Sequence, residues 1–511
     1  MTRRSVRTVA LVAALAVSGL LAGCTTWFAP PTAERTSTPT MEEVAPELEA
    51  YYHQVLEWDG CGDGMQCTTA TAPVDWDDPT GETIELALSR HTATGEKRAS
   101  LLVNPGGPGG SGYDFVLDSV DFATSARLQE SFDIVGFDPR GVGRSTAVSC
   151  YEEPSEFDSY IYGVTDGDKG SDEWIAAAEQ SNRAFGERCL ELTGPLLEHV
   201  DTISAARDLD MLRAALGDEK LDYLGFSYGT FLGATYADLF PEKTGRLVLD
   251  GAIDPATSEF DVTKTQAMGF ESAFRAYLED CLGRDGCPFR GGVDSALAET
   301  RQLLDRLDLQ PLRHSDGREL TSSTMFTAII LPLYNQQNWS YLDTLFTEVR
   351  SGQSETAFVL ADTYYDRDAD GAYASNSTEA LIAINCLDYV SESDPEVMRA
   401  QAEELVELAP VLGPQMTYGG TGCSTWPFQS TRERGPIAAA GSADILVIGT
   451  TNDPATPYVW AENLADQLEN GHLVTYDGEG HTAYNKSNDC INDTVDGFLV
   501  DGTVPESDPR C

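Results

Sequence analysis

The sequence predicts an α/β fold with a mostly parallel central sheet, and three observations carry that reading. Short apolar runs of strand length recur at residues 101–103, 132–137, 221–224, 245–249, 444–450 and 472–476. Near-continuous runs of this kind belong to strands covered on both faces. Helical stretches follow two of them, at residues 231–240 and 459–468, in the alternation that builds a parallel sheet. Glycine-rich or turn-rich segments stand directly after several runs, and these hold the residues with chemical potential.

The run 221–224 ends in Gly225-Phe226-Ser227-Tyr228-Gly229-Thr230. A Gly-x-Ser-x-Gly turn between a buried strand and a helix is a nucleophile elbow. Its backbone folds so tightly that only small residues fit two before and two after the serine. Ser227 is the one serine of the chain in that setting.

A serine hydroxyl is a poor nucleophile until a base takes its proton, and the base needs an acid to fix its tautomer. In this kind of fold the partners follow in the order serine, acid, histidine. The run 444–450 leads into Thr451-Asn452-Asp453-Pro454-Ala455-Thr456-Pro457, a turn that presents Asp453. The run 472–476 leads into Asp477-Gly478-Glu479-Gly480-His481-Thr482. Of the six histidines only three follow Ser227. His314 lies in a polar turn and His472 opens a strand, which leaves His481. Asp453 could instead serve only as a turn former before proline.

Two upstream segments complete the set. Residues 101–103 run into Asn104-Pro105-Gly106-Gly107-Pro108-Gly109-Gly110-Ser111-Gly112. An oxyanion hole needs backbone N–H groups aimed at the developing alkoxide, one from the residue after the nucleophile. Prolines cannot donate, so Tyr228 and Gly107 are the expected pair, with Gly106 second to Gly107. A phosphate cradle is disfavoured because the Lys-Ser/Thr of a P-loop is absent. The second segment, 132–145, ends in Asp138-Pro139-Arg140-Gly141-Val142-Gly143-Arg144-Ser145. Asp138 and Arg140 are read as a structural buried pair.

Taken together, Asn-Pro-Gly-Gly-Pro-Gly-Gly-Ser-Gly, Phe-Asp-Pro-Arg-Gly-Val-Gly-Arg-Ser, Gly-Phe-Ser-Tyr-Gly-Thr, Asn-Asp-Pro-Ala-Thr-Pro and Gly-Glu-Gly-His resemble one family. It is the secreted actinobacterial tripeptidyl aminopeptidases, α/β-hydrolases related to prolyl iminopeptidases. The likeness spans about residues 55 to 511. It implies Ser227 as nucleophile, Asp453 as acid and His481 as base, with release of short peptides from a free N-terminus. Prolyl iminopeptidases usually begin the oxyanion motif with His-Gly-Gly-Pro-Gly, where this chain has Pro105. That departure favours the tripeptidyl branch.

The 511 residues accommodate such a hydrolase with a large insertion. Core segments are expected at 55–252 and 436–511, separated by a mainly helical cap at 253–435. Helices are expected there at 270–281, 293–307, 323–334, 341–351, 378–384 and 395–408. Residues 1–23 read as a lipoprotein signal peptide: Arg3, Arg4 and Arg7 precede an apolar stretch over 9–20, too short to span a bilayer comfortably. Leu21-Ala22-Gly23-Cys24 then matches a lipobox, with Cys24 the lipidated residue. A Thr/Pro-rich tether is expected over 24–45. Eleven cysteines less Cys24 leave ten, an even set suited to an oxidising compartment. Neighbouring positions suggest Cys61–Cys67, Cys150–Cys189, Cys281–Cys287, Cys386–Cys423 and Cys490–Cys511, although spacing alone leaves connectivity open. No Cys-x-x-Cys or His-Glu-x-x-His occurs, so neither metal nor other cofactor is implied.

Net charge is −50, from 83 acidic and 33 basic residues. Nucleic acid and anionic membrane surfaces are thereby excluded as electrostatic partners; a membrane is met only through the lipid anchor. Solubility accounts for most of this charge, and attraction of cationic peptides is the functional reading. An aminopeptidase needs a carboxylate to hold the substrate ammonium. Asp388, beside the cysteine Cys386, is the candidate, against an ordinary exposed helix-end acid. The expectation is a monomeric, exported serine exopeptidase acting on peptides. The alternatives are a carboxylesterase or lipase on the same triad, and a non-catalytic surface lipoprotein.

Overall fold

The strands are, in chain order, β1 (Asp59–Gly62), β2 (Met65–Pro73), β3 (Thr83–His91), β4 (Ala99–Asn104), β5 (Phe132–Phe137), β6 (Leu221–Phe226), β7 (Thr244–Asp250), β8 (Leu312–Arg313), β9 (Glu319–Leu320), β10 (Ile445–Asn452) and β11 (Gly471–Glu479). The computed structural model describes residues 35–430 and 434–511. Nine strands form one sheet ordered β1-β2-β3-β5-β4-β6-β7-β10-β11, and β8 with β9 makes a small hairpin apart. From β5 to β11 every neighbouring pair is parallel; β1, β2 and β3 add an antiparallel flank. This is the sheet of an α/β-hydrolase.

Alternation along the strands loads both faces. In β10, Ile445 and Val447 join one buried cluster while Leu446 and Ile448 join another. In β6, Leu221 and Tyr223 divide in the same way from Leu224 and Phe226. Helices Thr202–Leu216, Tyr228–Leu239 and Tyr458–Gln467 contribute to the first cluster. Helices Gly112–Ala123 and Asp489–Asp496 contribute to the second. Because every central strand is covered twice, its residues are apolar at consecutive positions.

The segment between β7 and β10 is helical, with a core of its own built on Phe274, Leu304, Ile329, Leu342, Phe346 and Phe358. Its helices are Glu259–Leu282, Val293–Leu309, Ser322–Leu333, Trp339–Arg350, Glu355–Tyr364, Ser377–Asp388 and Pro395–Leu408. Glu355–Tyr364 was not among the expected helices. Five disulfides join the five pairs suggested by proximity in sequence, with Cα–Cα distances between 3.9 and 5.8 Å. Such a set belongs to an oxidising compartment outside the cytoplasm.

Two expectations need correction. Residues 35–45, assigned to the tether, lie on the body. Ser37 N–H donates to Leu56 O at 2.9 Å and Thr40 N–H to Ala214 O at 3.0 Å. Glu42 pairs with buried Arg213 at 2.7 Å and with Lys243. The residues of the signal peptide and Cys24 lie outside the described part. The second correction concerns Arg140, which does not pair with Asp138. Its fork grips Asp208 on helix Thr202–Leu216 at 2.7 and 2.6 Å, both side chains fully buried. Asp138 instead accepts from Ser111 Oγ at 2.6 Å, Arg144 N–H at 2.8 Å and Tyr113 N–H at 3.1 Å, pinning the glycine loop after β4.

Burial pushes three carboxyls upward: Asp218 and Asp388 to about 6, and Glu379 to about 7. The folded chain therefore binds protons between pH 7 and 5 that the unfolded chain does not. With folded values above the unfolded ones, stability falls as pH rises through this window. Acidification also relieves self-repulsion of the −50 charge. Thermal scans should show a higher Tm at pH 5 than at pH 8. Glu379→Gln keeps an acceptor for Cys150 N–H, which Glu379 meets at 2.6 Å. That variant should raise Tm at pH 8 and flatten the slope; an unchanged slope would remove Glu379 from this account.

Candidate active site

Ser227 stands between β6 and helix Tyr228–Leu239 with φ 54° and ψ −121°. Such a backbone is strained for a side chain with a Cβ and persists only where its surroundings enforce it. Here Ser227 N–H donates to Asp250 O at 2.9 Å, and Ser227 O accepts from Thr230 N–H at 2.9 Å and Thr230 Oγ1 at 2.6 Å. Packing also explains the flanking glycines. A Cβ at Gly225 would lie 2.4 Å from Gly229 O, and one at Gly229 would lie 2.8 Å from Asn104 O.

Asp453 and His481, placed by the loops after β10 and β11, are joined. His481 Nδ1 lies 2.9 Å from both Asp453 oxygens. The Asp453 side chain is fully buried, and that of His481 is 11% exposed. Asp453 also accepts Ala455 N–H at 2.9 Å, Thr456 N–H at 2.8 Å and Thr482 N–H at 3.1 Å. These backbone donors replace the solvent that the buried carboxylate lacks. With Nδ1–H given to Asp453, Nε2 is the ring atom left to exchange a proton.

Asp250, the last residue of β7, connects the nucleophile turn to the histidine loop. Its carbonyl takes the Ser227 N–H. Its fully buried carboxylate takes Ala483 N–H at 3.0 Å and Tyr484 N–H at 2.8 Å. The next residue, Gly251, donates to Ile448 O at 3.0 Å, and a Cβ there would stand 3.2 Å from His481 Cε1. Ser227 and His481 thus flank the same two residues at the end of β7.

The glycine loop after β4 lies against the serine. A Cβ at Gly106 would be 2.9 Å from Ser227 Cβ and 3.0 Å from Tyr228 N. Gly106 N–H is taken by Asn104 Oδ1 at 2.9 Å. Gly107, with φ 115°, follows it in the loop. Tyr228 N–H opens its helix, where no intrahelical acceptor exists. Gly107 and Tyr228 line one cavity of about 370 Å³ with residues of the helical insertion, among them Phe270, Tyr334, Leu381 and Asn385.

Asp388 lines this cavity too, at the end of helix Ser377–Asp388. Burial raises it to about 6, although its oxygens accept Thr202 Oγ1 at 2.6 Å and Thr202 N–H at 3.0 Å. Thr202 Oγ1 is also 2.6 Å from Tyr228 Oη.

Several contributors escaped the sequence reading. Thr456 Oγ1 lies 3.1 Å from Asp453 Oδ2 and 3.2 Å from His481 Nδ1. Tyr334, in the insertion, accepts His481 N–H through its carbonyl at 2.8 Å and sets its ring edge-on at 5.4 Å. Glu259 adds a second carboxyl to the cavity. The Asp-Gly after an apolar run was the available signal for Asp250; for Tyr334 and Glu259 there was none. Among the described residues no cluster of His, Cys, Asp or Glu is placed to hold a metal ion.

Asp250→Ala would leave two buried N–H groups without an acceptor, at roughly 1–3 kcal/mol each. Denaturant unfolding should register a loss of that order. Labelling of Ser227 by a fluorophosphonate should slow more than in Asp218→Ala, a half-buried acid remote from the site. Equal labelling in both variants would show that Asp250 does not hold the site together.

Residues 409–511 match the model for TAP-like proteins. The serine protease Hip1 of Mycobacterium tuberculosis is 37% identical, the match covering 90% of this chain and 91% of that protein. A Mycobacterium tuberculosis protein named carboxylesterase B is 38% identical over 98% of both chains. The tripeptidyl aminopeptidase of Streptomyces lividans is 29% identical over 89% of this chain and 86% of its own length. A serine in an elbow, an Asp–His pair after the following strands and near full-length identity above 30% make one conclusion: the chain is a serine hydrolase and belongs to the tripeptidyl-aminopeptidase-like family of α/β-hydrolase peptidases.

Proposed function

We propose that the protein is an exported serine aminopeptidase that removes short peptides, tripeptides foremost, from free N-termini. The observation that carries this reading is the composition of the cavity. The two expected oxyanion donors share it with two carboxyls, Asp388 and Glu259, and with aromatic and aliphatic walls. An apolar lipase cleft has no use for such acids, whereas a substrate ammonium needs them. The relative named tripeptidyl aminopeptidase supports the cut length; the one named carboxylesterase B supports an ester substrate only by name.

In this mechanism His481 Nε2 takes the Ser227 proton as Oγ attacks the scissile carbonyl. Tyr228 and Gly107 N–H groups receive the oxyanion, a contribution worth about 3–4 kcal/mol per donor in comparable sites. His481 then protonates the leaving amine, and water repeats the cycle on the acyl-enzyme. Asp453 holds the imidazole and stabilises its cation. The carboxylates fix the ammonium at a set distance from Ser227, which makes the enzyme an exopeptidase. Five disulfides and the leader-like N-terminus with Cys24 support export with lipid anchoring.

Chromogenic amides of Ala-Ala-Pro, Ala-Pro and single residues should separate the readings when compared with N-acetylated forms and a short-chain ester. The free tripeptide amide should be the best substrate and fail on acetylation, with all activity lost in Ser227→Ala. Turnover of the ester alone would establish the esterase. The pH window follows from the two partners. Asp388 ionises above about 6, and a peptide α-amine stays protonated below about 8. KM should therefore be lowest between those limits. Asp388→Asn should raise KM tenfold or more and erase its acid limb; an unchanged KM would transfer the amine to Glu259.

A further inference from the structure

Arg434 is half-buried, its two outer nitrogens fully so, and it is placed unlike several other arginines of low exposure. Arg140, Arg213, Arg318 and Arg367 each face a carboxylate at 2.5 to 2.8 Å. Arg434 faces none within ion-pair distance among the described residues, in a chain with 83 acidic side chains. Its guanidinium is clamped between two rings, 3.8 Å from the centre of Phe231 and 4.2 Å from that of Tyr389. Nε donates to Pro255 O at 3.1 Å. Nη1 and Nη2 are buried and meet no acceptor. Arg434 lines the same cavity as Gly107, Tyr228, Asp388 and Glu259.

These facts together call for a ligand. A buried donor without an acceptor is costly, and a buried cation more so. Stacking on both faces offsets part of the cost and holds the plane of the fork, leaving its two outer nitrogens as the free donors. Two parallel N–H groups at fixed spacing match a carboxylate and little else in a peptide. The opposite charges nearby, Asp388 and Glu259, are positioned for the ammonium.

Resting on the aminopeptidase reading, we infer that Arg434 forms a carboxylate subsite that selects peptides with an acidic side chain in the N-terminal segment released by the enzyme. Phe231, one helical turn beyond Ser227, forms one side of the clamp and ties the subsite to the nucleophile's helix. A carboxylate could also arrive as the free C-terminus of a released tripeptide, and the two sources are separable.

The test uses the full-length enzyme and tripeptide chromogenic amides of alanine with Glu or Gln at each position in turn. The wild type should prefer Glu over Gln at one position by roughly 10- to 100-fold in kcat/KM, the range for a charge-assisted pair. Arg434→Met keeps an apolar filler between the rings and removes the charge. It should abolish that preference, the Glu substrate losing kcat/KM by roughly 10- to 100-fold more than the Gln substrate. Arg434→Lys should restore part of it. A wild type indifferent to Glu and Gln overturns the proposal, whether or not the variant folds. So does a preference that survives in Arg434→Met, or an equal loss on every substrate, which would make Arg434 a counter-charge for Asp388. Inhibition by free Ala-Ala-Ala but not by its amide, lost in Arg434→Met without any Glu preference, would assign the fork to product instead and overturn the side-chain reading. If no peptide amide is cleaved at all, the aminopeptidase reading fails separately. Protection of Ser227 from a fluorophosphonate by Glu- over Gln-containing tripeptides would still report on the subsite.

Discussion

One buried carboxylate and its backbone hold this site together. Asp250 ends β7, which lies in the sheet between the strand that carries Ser227 and the strand that carries Asp453. Its carbonyl fixes the nucleophile turn and its carboxylate fixes residues 483 and 484 just beyond His481. Burial raises its pKa, and the donated N–H groups work against that rise. An ionised group kept from solvent needs such donors, and here they belong to the loop that must be positioned. The spacing of serine and histidine is therefore set by sheet register, not by the stiffness of either loop.

The helical insertion takes part in the same arrangement. Tyr334 O receives His481 N–H at 2.8 Å, so the histidine loop is held by β7 on one side and by the insertion on the other. Glu259, Asp388 and Tyr334 all belong to the insertion, whereas Gly107, Tyr228 and Phe231 belong to the sheet domain. Residues of the two cores thus meet at one cavity. The strained Ser227 backbone, worth on the order of 1–3 kcal/mol, is maintained on the sheet side by Thr230 and Asp250.

Sequence revealed whatever depends on local pattern. Consecutive apolar residues marked β6, β7 and β10, because strands covered twice cannot alternate. The elbow showed in Gly225 and Gly229, whose Cβ atoms would strike backbone oxygens. Contacts across long sequence separation stayed hidden. Arg140 was given to the nearby Asp138, yet its partner Asp208 comes from a helix 68 positions on. Residues 35–45 read as a tether because they continue a Thr/Pro-rich stretch that runs to Thr40; the pairing of Glu42 with Arg213 cannot be seen in composition. Helix Glu355–Tyr364 was missed because it is short and contains Thr and Val, and its packing on the insertion core supplies what propensity lacks. Asp388 was visible as a candidate, but its contacts with Thr202, 186 positions away, were not.

The charge of −50 and the cavity act over different ranges. Exposed charges are screened within about 8 Å at physiological ionic strength. The acidic surface can gather cationic peptides but cannot tell one residue from the next. Discrimination falls to groups removed from water, where a pair is worth more and an unmatched charge costs more. This cavity contains acids of raised pKa and one clamped guanidinium with two free nitrogens. A substrate bearing an ammonium and a carboxylate at matching positions would satisfy both kinds of group, and a neutral ester would satisfy neither.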